Sequence, residues 1–150
     1  MPTPRSKILV VDDTEPNLRL LRALLTGAGY EVVTAGCGVE GVAAAARENP
    51  DLILLDIMMP KLSGFEVCKQ LKSDPATKGI MILMVTALNE LGDIERAVNA
   101  GTDDFLSKPV NKLELVKRVE IMLRLRHVTD EVERLRRYIE GMENASGPGS

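Results

Sequence analysis

Four sets of polar residues in this sequence directly follow apolar runs. Asp12 and Asp13 follow KILVV, Asp56 follows LILL, Thr86 follows IMILMV, and Lys108, itself ahead of Pro109, follows DFLS. Three carboxylates gathered in one place repel one another, and at neutral pH something must neutralise them. Two partners fit. One is a hard divalent cation: Mg²⁺ prefers oxygen ligands, keeps several waters and often takes one or two carboxylates plus a phosphate. The other is Lys108, a compact charge on a flexible stem. No His or Cys stands near these residues, so neither ligand softness nor spacing suggests zinc. A carboxylate beside Mg²⁺, a Lys and a hydroxyl can attack phosphorus to form an aspartyl phosphate. The metal and the Lys would stabilise charge on the transferring group. Asp56 is the expected nucleophile because it stands alone, whereas Asp12 and Asp13 form a pair suited to holding metal. Any single Asp after a strand is more often a turn former or helix cap. The signal is the joint placement at four different run ends.

These residues can meet only if the runs are strands whose carboxyl ends share one edge, and the apolar pattern supports that. Lys7–Val11, Glu31–Thr34, Leu52–Leu55, Ile80–Val85 and Asp104–Ser107 read as short strands, mostly apolar throughout as in sheets covered on both faces. Between them lie helical stretches. Pro16 suits a first turn, Leu18, Leu21, Leu24 and Leu25 recur at helical spacing, and Gly27 and Gly29 supply a stop. Val39–Glu48 is Ala-rich and ends at Asn49-Pro50; Phe65–Leu71 and Glu90–Asn99 follow, and a long helix starts with Asn111 as its N-cap. Strands alternating with helices over short loops predict an α/β doubly wound fold, a parallel sheet with helices on both faces. Ligands in such folds bind beyond the carboxyl ends of the strands.

The stretches KILVVDD (Lys7–Asp13), DLILLDIMMPKLSGFEV (Asp51–Val67), MVTA (Met84–Ala87) and AGTDDFLSKP (Ala100–Pro109) together resemble the receiver domain of two-component response regulators. The resemblance spans about residues 6–124. It implies a CheY-like five-stranded sheet of order 2-1-3-4-5. It implies that Asp56 is phosphorylated by a phosphohistidine on a histidine kinase or histidine phosphotransfer protein. Asp13, Asp56 and the carbonyl of Met58 would bind Mg²⁺ directly, and Asp12 through a metal-bound water. Thr86 and Lys108 would contact the phosphoryl oxygens, and Lys108–Pro109 would be a cis peptide. Phe105 matches the switch aromatic that turns inward with Thr86, altering the face made by the fourth helix, fifth strand and fifth helix. Phe in place of Tyr removes any step that uses a Tyr hydroxyl. Met58 and Leu88 occupy positions that tune phosphoryl lifetime in the family.

The last helix outruns the domain. Leu115, Val116, Val119 and Leu123 are expected to pack on the sheet, while Ile121, Leu125, Val128, Val132, Leu135, Ile139 and Met142 form a second stripe. Its spacing alternates four and three, as in a coiled-coil seam, and Glu131 and Arg136 would pair across a parallel seam. The expected division is a receiver at 1–124, a helical extension at 125–143 and a flexible tail at 144–150. The extension would hold a homodimer or lead to an output domain. His127 within it reads as an ordinary surface residue.

The bulk numbers set limits on these readings. In 150 residues, 45% hydrophobic, there is room for one domain with a real core. A net charge of −3, with acids interleaved among the arginines of the last helix, argues against direct nucleic-acid binding or an anionic membrane surface. The first residues, MPTPRSK, carry no signal pattern, and no apolar run is long enough to span a bilayer, so a cytoplasmic setting is expected. Cys37 and Cys68 read as reduced, small apolar fillers. A Mg²⁺-dependent phosphohydrolase would want a second acid where Met58 stands. A nucleotide-binding α/β protein would want a Gly-rich phosphate loop, which is missing. Beyond its own phosphoryl chemistry at Asp56, the chain is not expected to be an enzyme.

Overall fold

The computed structural model of the chain describes residues 6–87 and 91–145. Its elements are β1 (Lys7–Val11), α1 (Glu15–Gly27), β2 (Glu31–Ala35), α2 (Gly38–Glu48), β3 (Leu52–Leu55), α3 (Gly64–Ser73), β4 (Met81–Thr86), α4 (Leu91–Ala100), β5 (Asp104–Ser107) and α5 (Lys112–Ala145). The sheet runs β2-β1-β3-β4-β5 with every pairing parallel. This is the order that the family resemblance implies.

Period-two alternation divides the strand residues between two cores. Leu9, Val11, Ile53, Leu55, Ile82 and Met84 face α2, α3 and α4, where Ala44, Ala45, Phe65, Val67, Cys68, Leu71, Ala97 and Ala100 meet them. Ile8, Val10, Leu52, Leu54, Leu83 and Val85 face α1 and α5, where Leu21, Leu25, Leu115, Val119 and Met122 meet them. Burial on both faces explains why the strands read as continuous apolar runs.

Local signals set the helix starts. Ser63 caps α3, accepting from the N–H of Glu66 while Glu66 accepts from the N–H of Ser63, a reciprocal capping box. Asn111 caps α5 by accepting from the N–H of Glu114 at 3.1 Å. Cys37 caps α2, its Sγ accepting from the N–H of Glu40 at 3.5 Å. Cys37 is therefore exposed and is not the apolar filler expected of it. Cys68 is buried, and burial pushes its thiol up to about 11.

Several boundaries differ from the sequence expectation by a residue or two. Ile80 belongs to the turn before β4, its N–H bonded to the Thr77 carbonyl, and Thr86 is the last residue of the strand, paired with Ser107. On α5 the buried stripe is Leu115, Val119 and Met122, with Leu123 partly buried against the same core as expected and Val116 only partly covered. Helical periodicity permits several apolar stripes, and packing against the sheet selects one. α5 is continuous to Ala145, so residues 144 and 145 are helical where the sequence reading began a flexible tail. The rest of that expected tail lies outside the described residues. Among the described residues no helix is long and apolar enough to cross a membrane.

Candidate functional site

The parallel ladder extends one bond beyond the strands at their carboxyl edge. The N–H of Asp12 donates to the Ala35 carbonyl at 3.2 Å, and the N–H of Asp56 donates to the Val11 carbonyl at 3.0 Å. Both aspartate backbones are thus held by neighbouring strands, which sets their carboxyl groups side by side. Carboxylate oxygens of Asp12, Asp13 and Asp56 lie within 4.8 Å of one another. Asp12 and Asp56 are buried and Asp13 is exposed. Asp12 is further fixed by the N–H of Thr14 at 2.9 Å and the Asn17 amide at 3.4 Å.

Lys108 enters from the end of β5. Its Nζ stands 3.5 Å from Asp12 Oδ2 and 3.8 Å from Asp56 Oδ1. The Lys108–Pro109 bond is cis. One lysine faces three acids, and the electrostatics reflect that shortfall. Burial pushes the Asp56 carboxyl up to about 6. Lys108 and the N–H of Met58 oppose the rise, and the charges of Asp12 and Asp13 add to it. A carboxylate so placed gains from any cation that joins it. The donors are all oxygens, a set that suits a hard divalent ion and not zinc.

Most of the expected site residues meet here. Asp12, Asp13, Asp56 and Lys108 lie in one cluster, and Met58 contributes a backbone N–H to Asp56 while its side chain is exposed. Phe105 lies on β5 opposite Met84, partly buried against the core on the α2–α4 side. The Thr86 backbone ends β4 beside Ser107, one residue before Lys108; its side chain lies outside the described residues, as does Leu88. His127 lies on α5 away from this edge, with its ring 3.8 Å from Glu131.

Sequence reasoning missed two supports. Asn17, one turn into α1, reaches back to Asp12. Gly64 opens α3 directly against the backbone of Asp56 and Ile57, so that a Cβ there would strike the Asp56 carbonyl. Its N–H donates to the Ile57 carbonyl at 3.0 Å. The only sequence signal was a Gly immediately after the Ser63 cap.

Comparison with known proteins identifies the family. The chain is 48% identical over 127 residues to the response regulator PleD of Caulobacter vibrioides, covering 85% of this chain and 28% of PleD. It is 46% identical over 118 residues to the alkaline phosphatase synthesis transcriptional regulatory protein PhoP of Bacillus subtilis, covering 79% of this chain and 48% of PhoP. The chain thus spans half or less of these relatives' length. Among solved structures, the chemotaxis protein CheY4 of Vibrio cholerae superposes with a TM-score of 0.76 at 32% identity, covering 79% of this chain and 99% of CheY4. The receiver domain of the sensor histidine kinase PA1611 of Pseudomonas aeruginosa, which holds a magnesium ion in its active-site cleft, superposes with a TM-score of 0.75 at 29% identity, covering 80% of this chain and 98% of that domain. The response regulator receiver domain model matches residues 8–120, and the chain belongs to that family.

Proposed function

We propose that the chain is a phosphorylation switch of a two-component phosphorelay, with Asp56 as phosphoacceptor. The observation that carries this reading is the cluster of Asp12, Asp13 and Asp56 with Lys108 Nζ 3.8 Å from Asp56. An Asp56 carboxylate oxygen attacks the phosphorus of a phosphohistidine on a histidine kinase or histidine phosphotransfer protein. The P–N bond breaks, the new P–O bond forms, and the imidazole leaves. Asp13, Asp56 and the Met58 carbonyl are the expected direct ligands of Mg²⁺, with Asp12 acting through water. When bound, Mg²⁺ supplies charge neutralisation for the three acids and for the transferring phosphoryl group. Lys108 and Thr86 contact the phosphoryl oxygens. Lys108 already stands where a new anion on Asp56 would need a cation. Water attack on phosphorus later restores the carboxylate.

Phe105 and Thr86 carry the switch outward to the face formed by α4, β5 and α5, and onward along the C-terminal helix to a target protein or output domain. The length of the relatives supports the variant in which the receiver controls a larger regulator, since PleD and PhoP both extend well beyond the matched region. The chain's own chemistry is limited to gaining and losing the phosphoryl group.

The test is labelling with a small-molecule phosphodonor in Mg²⁺. Wild type should gain acid-stable, base-labile phosphate, and Asp56→Asn should gain none; label persisting in that variant removes Asp56 as the acceptor. Asp13→Ala should weaken Mg²⁺ binding at least tenfold by titration, and unchanged affinity would take Asp13 out of the metal site.

A further inference from the structure

Of the fourteen exposed large hydrophobic side chains among the described residues, eight lie between Ile121 and Met142 on α5. Seven of them recur at alternating spacings of four and three, from Ile121 to Met142, and every one of the seven is about half exposed. Such a stripe is larger than the scattered apolar residues that a monomer surface normally carries. Tyr138, the eighth, flanks it.

The stripe does not point at the receiver. Leu115, Val119 and Met122 pack on the sheet, and Arg126, next on the same face, donates to the carbonyls of Asp51 at 2.6 Å and Pro50 at 3.3 Å. At about 100° per residue, this receiver-facing row and the exposed stripe diverge by roughly 130° around the helix. A partner helix can therefore lie along the stripe from its first residue without meeting its own receiver.

Side-chain types identify that partner. Leu125, Val132 and Ile139 fall at a and Ile121, Val128, Leu135 and Met142 at d, and the central Val132–Leu135–Ile139 turns carry the β-branched a and Leu d that two-stranded parallel coils favour. Glu131 falls at g and Arg136 at the following e, the pair that meets across a parallel, in-register dimer. Arg136 has no ion pair among the described residues, and Glu131 has only the His127 ring at 3.8 Å, a pair only when that ring is protonated.

We propose that α5 pairs with α5 of a second copy as a parallel, in-register, two-stranded coiled coil that begins at Ile121 within the receiver and carries the two receivers on its outer flanks. The proposal rests on the reading of the C-terminal helix as the signalling arm and names its partner. Because Met122 and Arg126 tie the first seam residues to the sheet, each receiver is fixed to the coil without an intervening hinge.

The experiment uses the full chain with Cys37→Ser, so that the buried Cys68 is the one native thiol left. Single cysteines are placed at Val128→Cys, on the seam, and at Arg134→Cys, on the outer face. Light scattering should give about twice the 16.4 kDa chain mass at tens of micromolar. Mild oxidation should link Val128→Cys to itself at least tenfold faster than Arg134→Cys. Leu135→Glu should return the mass to a single chain while Mg²⁺-dependent labelling of Asp56 persists. A single-chain mass at all concentrations up to a few hundred micromolar would overturn the proposal. So would equal linking at the two positions, or a dimer in which Val128→Cys does not link, since an antiparallel pair holds those residues far apart. Loss of labelling in wild type would instead sink the phosphoacceptor reading and leave the coil result standing.

Discussion

The two edges of the sheet use the same residue types to opposite ends. At the amino edge, charges pair and hold backbone. Asp103 Oδ2 accepts from Lys72 Nζ at 2.9 Å and from the N–H of Ile82 at 2.7 Å, while Lys72 also reaches the Ile80 carbonyl at 2.8 Å. Lys7 meets Glu48 at 3.2 Å, and its N–H donates to Asp51 Oδ2 at 2.8 Å. Arg126 closes the same edge on the Asp51 and Pro50 carbonyls. At the carboxyl edge, Asp12, Asp13 and Asp56 cluster around a single Lys108 that reaches Asp12 and Asp56, and the Asp56 carboxyl is pushed up to about 6. Matched charges contribute structure, whereas an unmatched cluster stores a preference for an incoming cation and for a change in its own charge.

Substitutions at the two edges should therefore have different signatures. The largest effect is the complete loss of phosphate labelling in Asp56→Asn with the fold retained. Next, Asp103→Ala should cost about 2–3 kcal/mol in denaturant unfolding, because it strands Lys72 and the Ile82 N–H together. A cost near zero would show that the amino-edge pairs are ornamental and would erase the comparison.

Asp56→Asn should do the reverse in metal-free buffer. The folded carboxyl, near 6, holds its proton more tightly than the unfolded group near 3.8. The contribution of Asp56 to wild-type stability is then fully present below pH 4 and is lost as pH rises through about 6. The Asn variant should be more stable than wild type by roughly 1–3 kcal/mol at pH 7–8, with the gap closing below pH 4 and shrinking when Mg²⁺ is added to wild type. A pH-independent gap would mean that Asn repacks the site and that charge is not the cause. The smallest effect expected is that of Arg126→Ala, about 1 kcal/mol or less of global stability. Faster hydrogen exchange in the first turns of the arm beyond Met122 is the sharper readout, and Arg126→Lys should restore it only in part, since a lysine cannot span two carbonyls with a rigid fork.

Much of this was legible in order along the chain. The helix starts at Ser63 and Asn111 and the apolar strands are local features, written in neighbouring residues. Because every parallel strand ends at the same edge, naming the residue after each strand was enough to bring Asp12, Asp13, Asp56 and Lys108 together. The sheet order came from family resemblance, since apolar runs of similar length do not say which strand neighbours which.

Facing was not legible. Leu123 packs at the margin of the core as expected, but Met122 is buried where Val116 was expected, because a helix with apolar residues on several stripes has no single core face until it docks. Arg126 reads as one more surface charge until the carbonyls of Asp51 and Pro50 arrive from a distant part of the chain. Cys37, between two glycines, and Cys68, within a predicted helix, both read as small fillers, and packing leaves the first on a helix cap at the surface and the second in the core. Gly64 is required by an approach to the Asp56 backbone that joins a loop to the helix after it. The sequence by itself determined the elements and the chemistry at their ends, because these depend on residues close in the chain. The tertiary structure decided which face is buried, which charges are matched and how high the Asp56 carboxyl is raised, because these depend on neighbours that folding alone supplies.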